Sequence, residues 1–254
     1  MFWENLTSAD FNDIDRGIPV LLNIAAIEQH GPALPVVTDS AIGWHLCQQV
    51  EDRMSDRILI LPQIKVCCSE HHMGFPGTLT VSHQTFMNYV SEMLDAVYRH
   101  GFRSIFILNS HGGNIAIGNV IKESLGNQYP DLNIAFSTWW TIAKDSLPQL
   151  NESGFQGVGH AGEFETSLMM HIAPESIKKD ADVSKAGLKK SFPWTESDLL
   201  RGAEASLHRN FQEMTANGVF GKAEYASREK GQKIATLVVE KLCLILKDLD
   251  GLKR

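Results

Sequence analysis

Val20-Leu21-Leu22-Asn23-Ile24-Ala25-Ala26-Ile27-Glu28-Gln29-His30-Gly31-Pro32-Ala33-Leu34-Pro35-Val36-Val37-Thr38-Asp39 is an apolar run that stops abruptly in a carboxylate, an imidazole and a Gly-Pro bend, with a second carboxylate beyond. If Val20 to Ile27 is a strand, Glu28 and His30 lie two residues apart and point to the same side. The bend can return Asp39 toward them, because Gly and Pro turn the chain while Pro35 keeps it extended. Three potential metal ligands of the N and O type then gather at one strand end. This stretch is the candidate active site.

Three further apolar runs rich in Ile, Val, Leu or Phe read as strands: Ile58 to Val66, Ser104 to Leu108 and Asn133 to Trp139. Their continuous apolarity predicts strands covered on both faces. Helical segments separate them. The clearest is Ser82 to His100, where Phe86, Tyr89, Val90, Met93, Leu94 and Val97 recur at helical spacing between a Ser82 N-cap and Gly101. Strand followed by helix, repeated, predicts an α/β fold with parallel strands joined by right-handed crossovers in a layered sheet. Ligands of such sheets bind beyond the carboxyl ends of the strands. Glu28 to Asp39 follows the first strand and Asn109-Ser110-His111-Gly112-Gly113-Asn114 follows Ser104 to Leu108, so two polar clusters fall on one sheet edge.

Beyond Ser167 the pattern loosens. A short amphipathic segment opens the chain near Thr7 to Ile14. Lys178 to Glu196, with Lys189-Lys190 and Pro193, reads as a loop or lid; Ala216 to Gly221 is turn-rich; Glu224 to Leu249 reads as a long closing helix. No repeat or low-complexity linker interrupts residues 1–254, which are expected to form a single domain.

The 254 residues suffice for a sizeable core, and 43% hydrophobic with 21% charged residues exclude disordered and fibrous classes. A net charge of -7 without a basic patch argues against a nucleic-acid partner. Cys47, Cys67, Cys68 and Cys243 lack zinc-ribbon spacing and read as core thiols of a reducing compartment. With no signal peptide and no apolar run of membrane-spanning length, the expectation is a cytoplasmic protein without a membrane partner.

The second cluster, His111-Gly112-Gly113-Asn114, pairs glycines that let backbone approach a ligand with an Asn able to open a helix; alone, it reads equally as a tight strand-to-helix turn. The third is Gly159-His160-Ala161-Gly162-Glu163-Phe164-Glu165-Thr166-Ser167. If helical from Gly162, Glu163 and Glu165 point in nearly opposite directions, so one of them at most is a direct ligand. Alone, that cluster reads as an acidic first helical turn. Together, Glu28, His30, Asp39, His111 and Glu163 exceed the needs of one tetrahedral zinc and suit two neighbouring divalent ions bridged by a carboxylate.

Five ordered motifs, Glu28 to Pro32, Thr38-Asp39, His71-His72-Met73-Gly74-Phe75-Pro76-Gly77-Thr78, Asn109 to Asn114 and His160 to Ser167, resemble the creatininase (creatinine amidohydrolase) family. The resemblance runs from about Val20 to Ser167, with weaker similarity at Gly218 to Lys230. It implies a three-layer α/β/α sandwich with a mostly parallel central sheet, a metal-dependent hydrolase of cyclic amides and related small molecules, and a homo-oligomer, often a hexamer. It also implies two divalent ions, zinc foremost, with manganese or iron as alternatives. Glu28 and His111 would hold one metal and His30 the other, with Asp39 as the bridge. Creatinine-hydrolysing members take their fifth ligand from a Glu two residues after the His of the third-strand motif, where this chain has Gly113, and carry an apolar residue where it has Glu163. Glu163 is therefore assigned to the second metal and Glu165 to a supporting catalytic position.

Two metals lower the pKa of a shared water toward neutrality, so no strong protein base is required. His160 is assigned the proton shuttle to the departing nitrogen, against the alternative of a hydrogen bond to a ligating carboxylate. His72, Trp139, Trp140, Gly112 and Gly113 are expected at the substrate, with His71 beside His72; loop structure and aromatic packing are their alternatives. Creatinine-hydrolysing members carry a Trp-acid pair before the His-Ala-Gly segment, where Phe155 to Gly159 has neither, and a His within Gly-Pro-X-Leu-Pro, where this chain has Ala33. Creatinine is thus not the expected substrate; a small cyclic amide or a formamide is. Two other readings stay open: opening of a cyclic polyol ketone by carbon-carbon cleavage, and a non-catalytic scaffold of the same fold.

Overall fold

The computed structural model describes residues 1–178, 180, 181, 189 and 191–252; part of the stretch read as a loop or lid, including Lys190, lies outside the described residues. In chain order the main elements are β1 (Val20–Ile24), α1 (Thr38–Met54), β2 (Leu59–Ile60), α2 (His83–Arg99), β3 (Ser104–Asn109), α3 (Ile115–Gln128) and β4 (Asn133–Thr138). There follow α4 (Trp139–Ile142), α5 (Glu163–Ile172), α6 (Phe211–Met214) and α7 (Arg228–Gly251). Among the described residues these strands form one sheet in the order β2-β1-β3-β4, every pairing parallel.

Alternation along each strand builds the layers. Val20, Leu22 and Ile24 of β1 and Ile105 and Ile107 of β3 join a buried cluster with Phe86, Val90 and Leu94 of α2 and Ile117 and Ile121 of α3. Leu21, Phe106 and Leu108 join the opposite cluster, with Ile42 and Leu46 of α1, Phe164 and Leu168 of α5, and Val238, Leu242 and Leu246 of α7. The sheet is therefore covered on both sides, as the continuous apolar runs predict. Each fully buried aliphatic side chain contributes about 1.5–3 kcal/mol, so the two clusters anchor the sheet on both faces beneath the site.

The strand order also selects that edge. From β1 the chain crosses to β2 on one side, then returns past β1 to β3 and on to β4. Crossovers of one hand that travel in opposite directions must lie on opposite faces, and α1 does lie opposite α2 and α3. Between β1 and β3 the order reverses, and there the segments leaving two adjacent strands diverge and open a crevice. The registered pair Ile24 and Asn109 ends both strands at this point.

Four boundaries differ from the sequence reading, the first being β1, which ends at Ile24 rather than Ile27. The second strand shrinks to Leu59–Ile60, because Pro62 has no N–H for the ladder; Ile64 rejoins β1 only as a bridge to Ile24. Trp139 and Trp140 belong to α4, whose N-cap Thr138 accepts from the Thr141 amide at 3.2 Å. The closing helix begins at Arg228, after Ser227 caps it by accepting from the Lys230 amide at 3.2 Å. The α2 expectation holds, including the Ser82 cap on Thr85 at 3.1 Å.

Candidate metal centre

β1 stops at Ile24, and Ser110 N–H then occupies the Ile24 carbonyl at 3.0 Å, so the two post-strand segments are joined by backbone. Gly31 takes a left-handed φ of 67°, and an added Cβ would meet Val219 Cγ2 at 2.3 Å, so glycine is required at this bend. Beyond it, Glu28 N–H donates to Val36 carbonyl at 3.0 Å, and α1 starts with Asp39 in its first turn. The bend therefore returns Asp39 to the strand end, and the helix N-terminus favours its negative charge.

Asp39 sits between two imidazoles. Its Oδ1 is 3.1 Å from His30 Nε2 and its Oδ2 is 3.1 Å from His111 Nδ1. Glu28 Oε2 is 3.1 Å from the same His111 nitrogen, and Glu165 Oε2 is 3.7 Å from His30 Nε2. All five side chains are buried. Burial opposes the charge on His30, but Asp39, Glu165 and Glu28 outweigh it and push its pKa up to about 10. His111 is raised in the same way against its burial, chiefly by Glu28. Asp39 is held well below the usual carboxylate range despite its burial, because His30 and His111 face it. Burial pushes Glu165 up to about 7 and also raises Glu28. Burial and the surrounding imidazoles keep His72 and His160 well below ordinary histidine, so both rings are neutral.

The hydrogen bonds behind these rings decide which nitrogens face inward. His30 Nδ1–H donates to the Glu28 carbonyl at 3.1 Å, which turns Nε2 toward Asp39 Oδ1 and Glu165 Oε2. His111 Nε2 is 3.3 Å from the Cys68 carbonyl, which turns Nδ1 toward Glu28 and Asp39. Ligand atoms of Glu28, Asp39 and His111 lie within 4.8 Å of one another, as do those of His30, His160 and Glu165. Donors on one divalent ion, each about 2.0–2.2 Å from it, stand ~3–3.5 Å apart. Two buried imidazole nitrogens, each facing two carboxylates, form an all-N,O set that fits divalent ions.

The structure separates the two acids of α5. Glu165 faces His30 and accepts from Ala161 N–H at 2.6 Å, an amide turned inward by the left-handed φ of 54° at Ala161. Glu163, the acid assigned to the second metal from sequence, faces the other way. It accepts from Glu152 N–H at 3.1 Å and Ser153 N–H at 3.0 Å, and it pairs with Lys230 Nζ and Ser153 Oγ. Glu163 is therefore committed to α7, and Glu165 is the acid that meets the centre. Position 113 offers no replacement: a Cβ there would lie 2.3 Å from the Cys68 carbonyl and 2.4 Å from His111 Nε2.

Around the centre lies a small pocket of about 130 Å³, lined among others by His71, His72, Gly112, Gly113, Trp140, His160, Leu199 and Phe211. Trp140 reaches it, whereas Trp139 packs behind it, fully buried and edge-on to Trp140. His72 does more than line the pocket, since its Nε2 is 3.4 Å from Glu28 Oε1. The sequence reading missed Ser69, which donates to Glu28 Oε2 at 2.8 Å, and Phe211, which stacks on His72 at a centroid distance of 4.0 Å. Neither carries a motif signal; Ser69 was readable only as the neighbour of the His71-His72 motif. Ala33 and Phe155 do not line the pocket, so the wall is set by Trp140, Leu199 and Phe211 instead.

A parallel α/β sheet with a buried carboxylate–imidazole centre at its switch point defines a candidate metal-dependent hydrolase. The family model for creatininase, creatinine amidohydrolase, matches residues 4–246, and the chain belongs to that family. It is a hydrolase, as the family's members are. It is 27% identical over 235 residues to a creatinine amidohydrolase from Pseudomonas putida, covering 87% of this chain and 85% of that protein. A 3-dehydro-scyllo-inosose hydrolase from Thermotoga maritima is 26% identical over 245 residues, covering 91% of this chain and 77% of that protein. A crystal structure of creatinine amidohydrolase superposes with a TM-score of 0.80 at 23% identity, covering 97% of this chain and 96% of that one. A zinc–zinc form of a creatininase variant and a manganese creatininase each superpose with a TM-score of 0.78 at 24% identity, covering 97% of both chains. Among the described residues no helix is long and apolar enough to cross a membrane.

Proposed function

We propose that this hydrolase is a dinuclear metal-dependent amidohydrolase acting on a small cyclic amide or a formamide other than creatinine. Glu28, Asp39 and His111 would hold one divalent ion, and His30, Asp39 and Glu165 the other. The observation that carries this reading is Asp39, whose two oxygens each face a different imidazole at 3.1 Å, the arrangement a bridging carboxylate requires. Zinc or manganese is the choice that the related creatininase structures support.

Bound there, a pair of divalent ions supplies hydroxide at neutral pH and polarises the substrate carbonyl. The chain's own residues do the rest. His160 donates Nε2–H to the Gln29 carbonyl at 2.7 Å, so its Nδ1 lone pair faces the centre, 3.6 Å from Glu28 Oε1. In that tautomer it can take a proton at Nδ1 and pass it to the departing nitrogen. Trp140, Leu199 and Phe211 present flat and apolar surface to a small ring, while Gly112 leaves open space beside His111. A homo-oligomer in the cytoplasm belongs to the same reading, supported by the family resemblance and by four free, buried cysteines.

The relative named as a 3-dehydro-scyllo-inosose hydrolase favours a second reading, in which the same centre opens a cyclic polar ketone by carbon-carbon cleavage. Metal analysis of the purified protein and product analysis on lactams, formamides, keto-cyclitols and creatinine decide between them. Turnover of a lactam or formamide with about two metal ions per chain is the expected result. Robust creatinine hydrolysis at low millimolar substrate overturns the exclusion of creatinine. A protein that binds no zinc, manganese or iron and hydrolyses nothing is a scaffold.

A further inference from the structure

Gln29 stands between two candidate ligands, Glu28 and His30, and nothing in the mechanism above uses its side chain. Its amide is buried and its orientation is determined by backbone alone. Oε1 accepts from Gly31 N–H at 2.9 Å, and Nε2 donates to the Gly218 carbonyl at 3.2 Å; the reversed amide would set donor against donor and acceptor against acceptor. One Nε2 hydrogen remains, with two imidazole nitrogens in reach: His72 Nδ1 at 2.9 Å and His160 Nε2 at 3.2 Å.

The choice between them follows from the backbone of the same residue. His160 Nε2 is 2.7 Å from the Gln29 carbonyl oxygen, a distance that is repulsive unless that nitrogen carries the proton. His160 Nε2 is then a donor and cannot accept from the amide. The remaining hydrogen goes to His72 Nδ1, which must be the unprotonated nitrogen of a neutral ring. His72 Nε2 therefore carries the proton, and it faces Glu28 Oε1 at 3.4 Å. Ser69 Oγ–H already holds the other Glu28 oxygen at 2.8 Å.

We propose that Gln29 is a positioning residue that sets His72 as its Nε2–H tautomer and thereby orients the Glu28 carboxylate from its Oε1 side. The requirement reaches Gly218 in the turn before α7: a Cβ there would lie 1.9 Å from Gln29 Oε1, and its φ is 87°. The catalytic consequence rests on the dinuclear reading; the tautomer itself does not.

The test is the 15N spectrum of histidine-labelled protein, metal-free and zinc-loaded, for wild type, Gln29→Met and Gly218→Ala. Wild type is expected to show His72 as a single Nε2–H tautomer in both states. Gln29→Met, which keeps the length and removes the donor, and Gly218→Ala, which displaces the amide, should each lose that signature. In Gln29→Met kcat should fall about tenfold with KM changed less than about twofold, the size expected for an outer partner of a metal ligand. A wild-type His72 protonated at Nδ1, or a His72 signal unchanged in both folded variants, overturns the proposal. The wild-type spectrum decides even where a variant does not fold. Failure of the protein to bind zinc would instead strike the dinuclear reading, because the metal-free spectrum reports the tautomer separately.

Discussion

The segment from Glu28 to Asp39 and the segment from His160 to Glu165 supply the same kinds of side chain to one centre, by different means. The first leaves a strand locked between two parallel neighbours, runs on past its end at Ile24 and turns at Gly31, so its acids and imidazole arrive from one short segment and its bend. The second is a loop with a left-handed non-glycine residue, Ala161, leading into a helix that is clamped from behind by Lys230 of α7. A Cβ at Gly231 would lie 1.9 Å from the Ser167 carbonyl, so α5 and α7 meet there at backbone distance. The first segment takes its geometry mainly from its own bend, with Thr78, Gly218 and Val219 packed against it. The second takes its geometry from a partner helix more than sixty residues away, as the Glu163–Lys230 separation of 67 residues shows.

The largest expected effect tests the first segment. Asp39→Ala should remove both ions and reduce turnover by at least about a thousandfold, measured as metal per chain and kcat; a fully loaded variant breaks the bridge assignment. Next, the two acids of α5 should part company. Glu165→Gln is expected to lose one ion per chain and about a hundredfold in rate with an unchanged melting transition. Glu163→Ala is expected to keep both ions and lose roughly 3 kcal/mol in denaturant unfolding, because Lys230 loses its buried carboxylate and keeps the Tyr225 carbonyl at 2.9 Å and the exposed Glu152 at 3.2 Å. If Glu163→Ala sheds metal at native stability and Glu165→Gln does not, the sequence-based assignment returns. A smaller change belongs to Ser69→Ala, which should weaken metal affinity about tenfold through Glu28 Oε2, as read by chelator competition. Smallest is Ser82→Ala, a loss of about 1 kcal/mol from the α2 cap on the far face, with metal content unaltered.

Much of the first segment was legible without coordinates. The convergence of Glu28, His30 and Asp39 was legible through the Gly31-Pro32 bend, which acts over a few residues, although β1 ends at Ile24 and strand alternation does not extend to Glu28 and His30. The parallel sheet followed from alternating apolar runs, and His111 fell on the correct edge because it follows a neighbouring strand. Glu163 and Glu165 were harder. Their opposition on a helix was readable, but which one faces inward depends on how the helix is rolled about its axis. The apolar residues of α5 settle that roll poorly, since nearly the whole helix is buried from Glu163 to Met169. Trp139 and Trp140 were similarly undivided, until the turn into α4 set one toward the pocket and one behind it.

By itself the sequence determined the layered α/β class, the strand-end position of the centre and the N,O character of its ligands, because these depend on short-range periodicity and on residue chemistry. Only the tertiary structure decided that Glu165 rather than Glu163 meets His30, that Ser69 and His72 brace Glu28, and that Gln29 selects among imidazole nitrogens. Those outcomes turn on contacts between segments far apart in the chain, such as Lys230 with Glu163 and Gly218 with Gln29, where an ångström of packing decides which polar atoms are already paired.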